Sequence, residues 1–432
     1  MKRVRSRGDE ACASPVKKRW NKTSVQKELT SGNMYFTKIE GLSHKFNNFA
    51  FSLREILDTI TPTNSIHFNF MIDPHWLLSQ YPEQCRDTPI MLVVGEKMGT
   101  DASTLTQLTK LPIPFGTHHT KLSIFECESK LHVLISTANL IEGDWDLKTQ
   151  CIYYANGPIN NEEVESSDFQ KELMSYLEFY KNPELEYWIQ RIQHACFSSI
   201  KDHIIYSVPG YHKDEKKDNL GLLALRKHLS QIRVSLDKLE GSHLFLAQCS
   251  SIGSLGPSFD AWTKPQLLKS MRGGIESEDS VAPKFFLIYP SVTDVRNSVE
   301  GYAAGGSLPY QRQTSEKQLW LKDYFCKWRS ETNSRSRAMP HCKTYAELVN
   351  GEPRWLLVTS ANLSKAAWGE LQRGGVQMQI RSYEFGVLIA DQDRIRLPYD
   401  YPIAKYSKTD EPWICNMNYT EKDSCGTDWI VS

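Results

Sequence analysis

The chain has 432 residues, with 51 Lys and Arg against 51 Asp and Glu, so its formal net charge is zero. Any binding of nucleic acid must therefore come from a local patch and not from a global field. A chain of this length predicts two domains with cores of their own. No run of about eighteen apolar residues occurs, which excludes a membrane-spanning helix. The ten cysteines include no Cys-x-x-Cys pair, so neither a zinc ribbon nor a disulfide scaffold is indicated, and reduced thiols fit a cytosolic or nuclear protein.

Residues 1–30 are polar, with basic clusters at Lys2-Arg3-Val4-Arg5 and Lys17-Lys18-Arg19. They contain no apolar h-region, which argues against secretion. A disordered basic tail with a bipartite import signal is expected, and with it a nuclear location. An N-terminal domain follows over 31–212. The run 66–72 predicts a buried strand, and 89–95 another that ends in a glycine turn. Residues 121–125 and 131–135 form two strands about a charged turn. Phe169, Leu173 and Leu177 recur at helical spacing, and Asn182-Pro183 caps a second helix running through Trp188 and Ile192.

The charged run 213–217 marks the boundary to a C-terminal domain over 213–432. It opens with a helix over 219–229 and a strand at 244–246, then a Ser- and Gly-rich turn at 250–256. A strand at 285–289 leads to the glycine-rich 301–306 and a helix over 319–328. A second hairpin turns about Asn350-Gly351, with 355–358 as its returning strand. Strands and helices alternate in both halves, which predicts two related α/β domains.

Both hairpins carry the same residues. His119-Thr120-Lys121 is followed by Ser136-Thr137-Ala138-Asn139-Leu140, and Pro340-His341-Cys342-Lys343 by Thr359-Ser360-Ala361-Asn362-Leu363. His to Asn is 139 − 119 = 20 in one copy and 362 − 341 = 21 in the other, and Trp145 and Trp368 each follow Asn by six. Such agreement points to an internal duplication. His and Lys two apart on a strand share a face, and antiparallel pairing brings Asn to the same end. Two such cups face to face would hold two imidazoles, two ammonium groups and two amides. The lysines and asparagines can stabilise the charge of a five-coordinate phosphoryl transition state. One imidazole can attack phosphorus while the other protonates the leaving oxygen. No aspartate cluster suited to a divalent cation accompanies the motifs, so metal-free chemistry is expected, with no cofactor. Cys342 should point into the core, opposite its neighbours, and the two tryptophans should be packing residues.

The paired motifs resemble the phospholipase D superfamily, and the surrounding sequence resembles its tyrosyl-DNA phosphodiesterase branch. The resemblance rests on 116–121, 250–256, 300–310, 338–343 and 359–369. It implies two similar phospholipase D-like α/β domains related by pseudo-two-fold symmetry, with one shared active site. Most of the superfamily has Asp five residues after the Lys; Glu126 and Leu348 stand there instead, a departure typical of this branch. The resemblance makes His119 the nucleophile of a covalent phosphohistidine, and His341 the acid and then the base. Lys121, Asn139, Lys343 and Asn362 become the phosphate-binding set, with Glu384 behind His119 and Gln150 behind His341. A carboxylate partner raises imidazole basicity, whereas a neutral amide leaves a readier acid. Ser250, Ser251, Pro309, Ser364 and Lys365 correspond to DNA-binding positions, Phe115 to a base-stacking one, and Cys415 to a position that is aromatic in vertebrate relatives. The implied partner is a DNA 3′ end, single-stranded or nicked, bearing tyrosine or a topoisomerase peptide. The implied protein is monomeric and makes no use of a membrane. Two rivals are a phosphatidyl hydrolase or transferase built on the same motifs, and a DNA-end binder that does no chemistry. The altered Asp positions and the basic tail speak against the first, and the complete His-Lys-Asn sets against the second.

Overall fold

The computed structural model describes residues 28–99, 103–109, 116–160, 165–235, 241–275 and 284–431. The basic clusters of the tail and Phe115 lie outside them. Strands β1 (Asn33–Thr37), β2 (Ala50–Phe51), β3 (Asn64–Phe68), β4 (Ile90–Val93), β5 (Leu105–Leu108), β6 (Leu122–Cys127), β7 (Lys130–Ser136) and β8 (Cys151–Pro158) form one mixed sheet. Its order is β2-β1-β8-β7-β6-β3-β4-β5. Further along come β9 (His203–Ser207), β10 (Gly210–Lys213), β11 (His243–Gln248), β12 (Lys284–Ile288), β13 (Phe325–Cys326), β14 (Thr344–Val349), β15 (Glu352–Thr359), β16 (Glu370–Gln372), β17 (Gln377–Ile380) and β18 (Glu384–Ile389). The second large sheet runs β13-β12-β11-β14-β15-β18-β9, and β10-β17-β16 make a small third. Since β9 pairs with β18, the second sheet recruits a strand from before residue 213.

Both expected hairpins are central strands of their sheets, covered on both faces, and so read as near-continuous apolar runs. In β6 and β7, Leu122, Ile124, Val133 and Ile135 face the core that joins the halves. Phe125 and Leu134 face a smaller core on the other side. The β14–β15 turn has Asn350 at φ 53° and Gly351 at φ 90°, both positive, as a type I′ turn requires.

Helix α1 (Asp168–Glu178) begins at Ser167, whose side chain accepts the Gln170 N–H, and buries Phe169, Leu173, Tyr176 and Leu177. The Tyr176 ring lies 4.7 Å from Phe385 of β18 and 6.1 Å from Phe68 of β3, so this helix ties one large sheet to the other. Helix α2 (Gly221–Ser235) covers the second sheet with Leu222, Leu225 and Leu229. Among the described residues, no helix is long and apolar enough to cross a membrane.

Two expected elements differ. The strand predicted over 66–72 stops at Phe68, because the Asn69 side-chain oxygen accepts the N–H groups of Phe70 and Met71 and turns the chain. Phe70 and Met71 are left exposed. The helix predicted over 319–328 is a single 3-10 turn, Leu319–Asp323. Phe325 and Cys326 pair in parallel with Leu287 and Ile288 instead, a sheet-edge role that outweighs the helical spacing of the apolar residues before them.

Candidate active site

The two motif loops meet by reciprocal backbone exchange. The His119 N–H donates to the Tyr383 carbonyl at 3.0 Å, and the Tyr383 N–H to the Thr117 carbonyl at 3.0 Å. In the other half, the His341 and Cys342 N–H groups both donate to the Thr149 carbonyl, at 3.1 Å each. Each histidine strand is thus stitched to the residue before its partner, Glu384 in one case and Gln150 in the other. Approach is close enough that a Cβ on Gly116 would sit 1.4 Å from the Arg381 carbonyl oxygen, so only glycine fits there.

His119 donates through Nδ1 to Glu384 Oε2 at 2.9 Å. The Ser360 hydroxyl donates to the same oxygen at 2.5 Å. At the equivalent place, the Thr137 hydroxyl donates to Gln150 Oε1 at 2.7 Å, and Gln150 Nε2 lies 3.0 Å from His341 Nδ1. Thr137 and Ser360 occupy the same position in the two repeats. Reading the sequence left them unassigned, although the Thr and Ser of the repeated Ser-Thr-Ala-Asn and Thr-Ser-Ala-Asn were in view. The lysines are also alike: Lys121 donates to the His119 carbonyl at 3.0 Å and Lys343 to the His341 carbonyl at 2.5 Å.

The expected contrast between a carboxylate behind one histidine and a neutral amide behind the other does not hold. Asp144, on the short helix Glu142–Asp146, places Oδ2 2.9 Å from His341 Nδ1. The same oxygen accepts the Asn139 N–H at 2.7 Å. With its proton on Nδ1, His341 donates to this carboxylate. In that tautomer the Gln150 amide completes the cradle by turning its oxygen to His341 and its NH2 to the Thr137 hydroxyl, an exchange of amide ends that leaves the shape unchanged. Burial opposes ionisation of Asp144, yet His341, Lys148 and the Asn139 N–H hold its carboxyl well below the usual range. Sequence reasoning missed it because the second copy has Ala367 at the corresponding place.

Electrostatics make the cup a receptor for an anion. Burial, and then the charge of Lys343, push Lys121 down to about 7. Burial pushes Lys343 down to about 8, against the pull of Asp144. Burial and Lys121 lower His119 against the opposing pull of Glu384. His341 is lowered by burial, with Lys343 and Lys121 adding to the effect and Asp144 opposing it. Two ammonium groups crowded together, with the nearby carboxylates of Glu384 and Asp144 bonded to the histidines, are the arrangement that a phosphoryl oxygen relieves.

The remaining predicted positions surround this cup. Asn362 Oδ1 accepts from the N–H and hydroxyl of Ser250 at 3.1 and 3.2 Å and from the N–H of Ser251 at 2.9 Å. That anchoring turns the Asn362 NH2 away from the Ser turn. Ser250 is buried and committed to Asn362, while the Ser251 hydroxyl reaches the exposed Pro309 at its carbonyl, 3.4 Å away. Ser364 caps the short helix Lys365–Trp368, and Lys365 pairs with Glu370 at 2.7 Å. Asn139 Oδ1 is buried without a hydrogen-bond partner. Cys415 is half-buried, its carbonyl accepting from the Trp429 indole at 3.0 Å.

Cys342 points into the core, where its thiol donates to Gln248 Oε1 at 3.1 Å, and Trp145 and Trp368 are buried. Glu126 lies at the far end of β6 in an ion pair with Arg191, and Leu348 is buried. Neither belongs to the cup. The exposed Phe70, missed as part of a strand, sits with its ring 5.3 Å from the His119 ring. It offers an aromatic face at the rim.

Two α/β halves that each deliver His, Lys and Asn to one cleft define the phospholipase D-like class of fold. A family model described as tyrosyl-DNA phosphodiesterase matches residues 33–412. A probable tyrosyl-DNA phosphodiesterase of Caenorhabditis elegans is 43% identical over 98% of this chain and 97% of its own length. Tyrosyl-DNA phosphodiesterase 1 of Drosophila melanogaster is 33% identical over 90% of this chain and 74% of its own length. A crystal structure of the yeast tyrosyl-DNA phosphodiesterase superposes with a TM-score of 0.70 at 23% identity, covering 88% of this chain and 99% of that one. The chain belongs to the tyrosyl-DNA phosphodiesterase family.

Proposed function

We propose that this protein is a DNA-repair hydrolase that cleaves the 3′-phosphotyrosyl bond between DNA and a topoisomerase-derived tyrosine or peptide, leaving a 3′-phosphate. The observation that carries the reading is the reciprocal pairing of the two halves, which sets each histidine against a partner from the opposite motif. His119, neutral and oriented by Glu384, attacks phosphorus. Its Nδ1–H faces the carboxylate, so Nε2 carries the lone pair. Lys121, Lys343 and the amides of Asn139 and Asn362 hold the non-bridging oxygens.

His341 protonates the departing phenolate and then takes a proton from water, which opens the phosphohistidine. The phosphodiester's negative charge offsets the two ammonium groups that depress His341, and Asp144 steadies the imidazolium. Phe70 offers a face on which the departing ring can stack. The protein acts as a monomer on single-stranded or nicked 3′ ends, and the basic clusters of the tail direct it to the nucleus.

The test is an oligonucleotide bearing 3′-phosphotyrosine, incubated with the protein in excess EDTA. Release of tyrosine with a 3′-phosphate left on the DNA is the expected result. Activity that returns only on adding magnesium or zinc to protein that stays folded in EDTA would overturn the mechanism, and hydrolysis of phosphatidylcholine vesicles in place of the oligonucleotide would favour the lipid reading.

A further inference from the structure

Away from the catalytic cup, three side chains with metal-ligating atoms converge where α1, β9 and α2 meet. Glu172 Oε1 lies 3.1 Å from His228 Nε2 and 3.4 Å from His203 Nδ1. All three donor atoms fall within 4.8 Å of one another. The two imidazoles stack with centroids 4.1 Å apart, so one ring must turn about its side-chain bonds for both lone pairs to meet a single ion. His228 Nδ1 is buried without a hydrogen-bond partner, which is unusual for a buried ring nitrogen, while His203 Nδ1 faces Glu172. The carboxylate is itself oriented, because its other oxygen accepts the Ile204 N–H at 2.6 Å. Beside the trio opens a cleft of about 330 Å³, rimmed by Asp168, Lys171, Ser175 and Lys227 and sharing no side chain with the catalytic cup.

We infer that Glu172, His203 and His228 form a binding site for a divalent transition-metal ion of the zinc class, with the fourth position left to water from the cleft. Two imidazole nitrogens and one carboxylate oxygen are a donor set that suits zinc. With metal–ligand bonds of about 2.0–2.2 Å, neighbouring donors of a tetrahedral site stand roughly 3.3–3.5 Å apart. The two distances from Glu172 bracket the lower end of that range. The fixed second oxygen is the outer support that metal-ligating carboxylates usually have, and the cleft supplies an entry path. Glu172 belongs to the helix between the sheets, whereas His203 and His228 belong to the second sheet and its covering helix. An ion held by all three would therefore clamp the two halves together, and its role would be stability and not turnover.

The test uses the full chain, stripped with chelator and desalted, then titrated with cobalt(II) chloride. The site predicts one equivalent bound, with the visible absorption bands of a four- or five-coordinate ion, bleached by added zinc. His228→Gln should weaken binding by roughly 100-fold or more. Zinc should raise the unfolding midpoint of the wild type but not of this variant. Should His228→Gln fail to fold, diethyl pyrocarbonate mapping of the wild type decides instead, with zinc protecting His203 and His228. Absence of stoichiometric cobalt binding, equal binding by a folded His228→Gln, or equal modification of both histidines with and without zinc would each overturn the site.

Discussion

Asp144→Asn isolates the one contact that sets this active site apart from the arrangement expected of it. The replacement has nearly the same shape, and its carbonyl can still accept the Asn139 N–H that Asp144 holds at 2.7 Å. What disappears is the negative charge 2.9 Å from His341 Nδ1. A hydrogen bond to a charged group is worth about 1.5–3 kcal/mol. At about 1.4 kcal/mol per factor of ten, the step in which His341 becomes imidazolium should slow by roughly 10- to 150-fold. That step is proton removal from the water that opens the phosphohistidine. Rapid-quench kinetics on a labelled 3′-phosphotyrosyl oligonucleotide would separate formation of the DNA–protein adduct from its decay. The expected outcome is an adduct that forms and then lingers, with thermal unfolding little changed. Decay within twofold of wild type in Asp144→Asn, alongside a large loss in Gln150→Ala, would refute the reasoning and leave the amide as the sole partner of His341.

Three further outcomes follow from the same geometry. Lys121 and Lys343 hold phosphate only while protonated, and they are depressed to about 7 and about 8, so kcat/KM should fall as pH rises through about 7 to 9. Over that window the unfolded chain still binds those protons, so the two lysines should make the free protein more stable as pH rises; a flat kcat/KM profile would contradict this. Gly116→Ala places a methyl group where the Arg381 carbonyl lies 1.4 Å away. Chemical unfolding should show a loss of about 1–3 kcal/mol, with turnover falling more than stability alone explains because His119 is three residues on. Deleting residues 1–27 should leave turnover of a short oligonucleotide within a few-fold while abolishing nuclear accumulation of a fluorescent fusion. Unimpaired accumulation would remove the import reading.

Much of the site was legible because the chemistry demands particular residue types at fixed offsets, and the chain states them twice. His119, Lys121 and Asn139 recur as His341, Lys343 and Asn362, and the hairpins that carry them are apolar enough to be placed by pattern alone. The crossed partners, Gln150 and Glu384, came from resemblance. Their logic became visible only when Thr149 and Tyr383 were seen bonded to the opposite strands. Asp144 was hidden because it breaks the repeat, so symmetry could not point to it. Ser250 and Ser251 stand at positions expected on DNA, and the fold also uses both backbone amides and the Ser250 hydroxyl to orient Asn362, a tertiary use that no local pattern encodes. The 66–72 and 319–328 runs failed for related reasons. In one, a side-chain amide captured the backbone; in the other, sheet pairing outweighed helical spacing.

The central claim is that His119 forms the covalent bond and His341 moves the protons. Incubating His341→Ala protein with labelled 3′-nitrophenyl-phosphate DNA tests it most directly, because a good leaving group needs little help from an acid while the second step still needs a base. The account predicts a DNA–protein adduct that accumulates, is labile in acid, and maps by peptide sequencing to His119. An adduct on Cys342, or one that forms equally in His119→Ala, would contradict it.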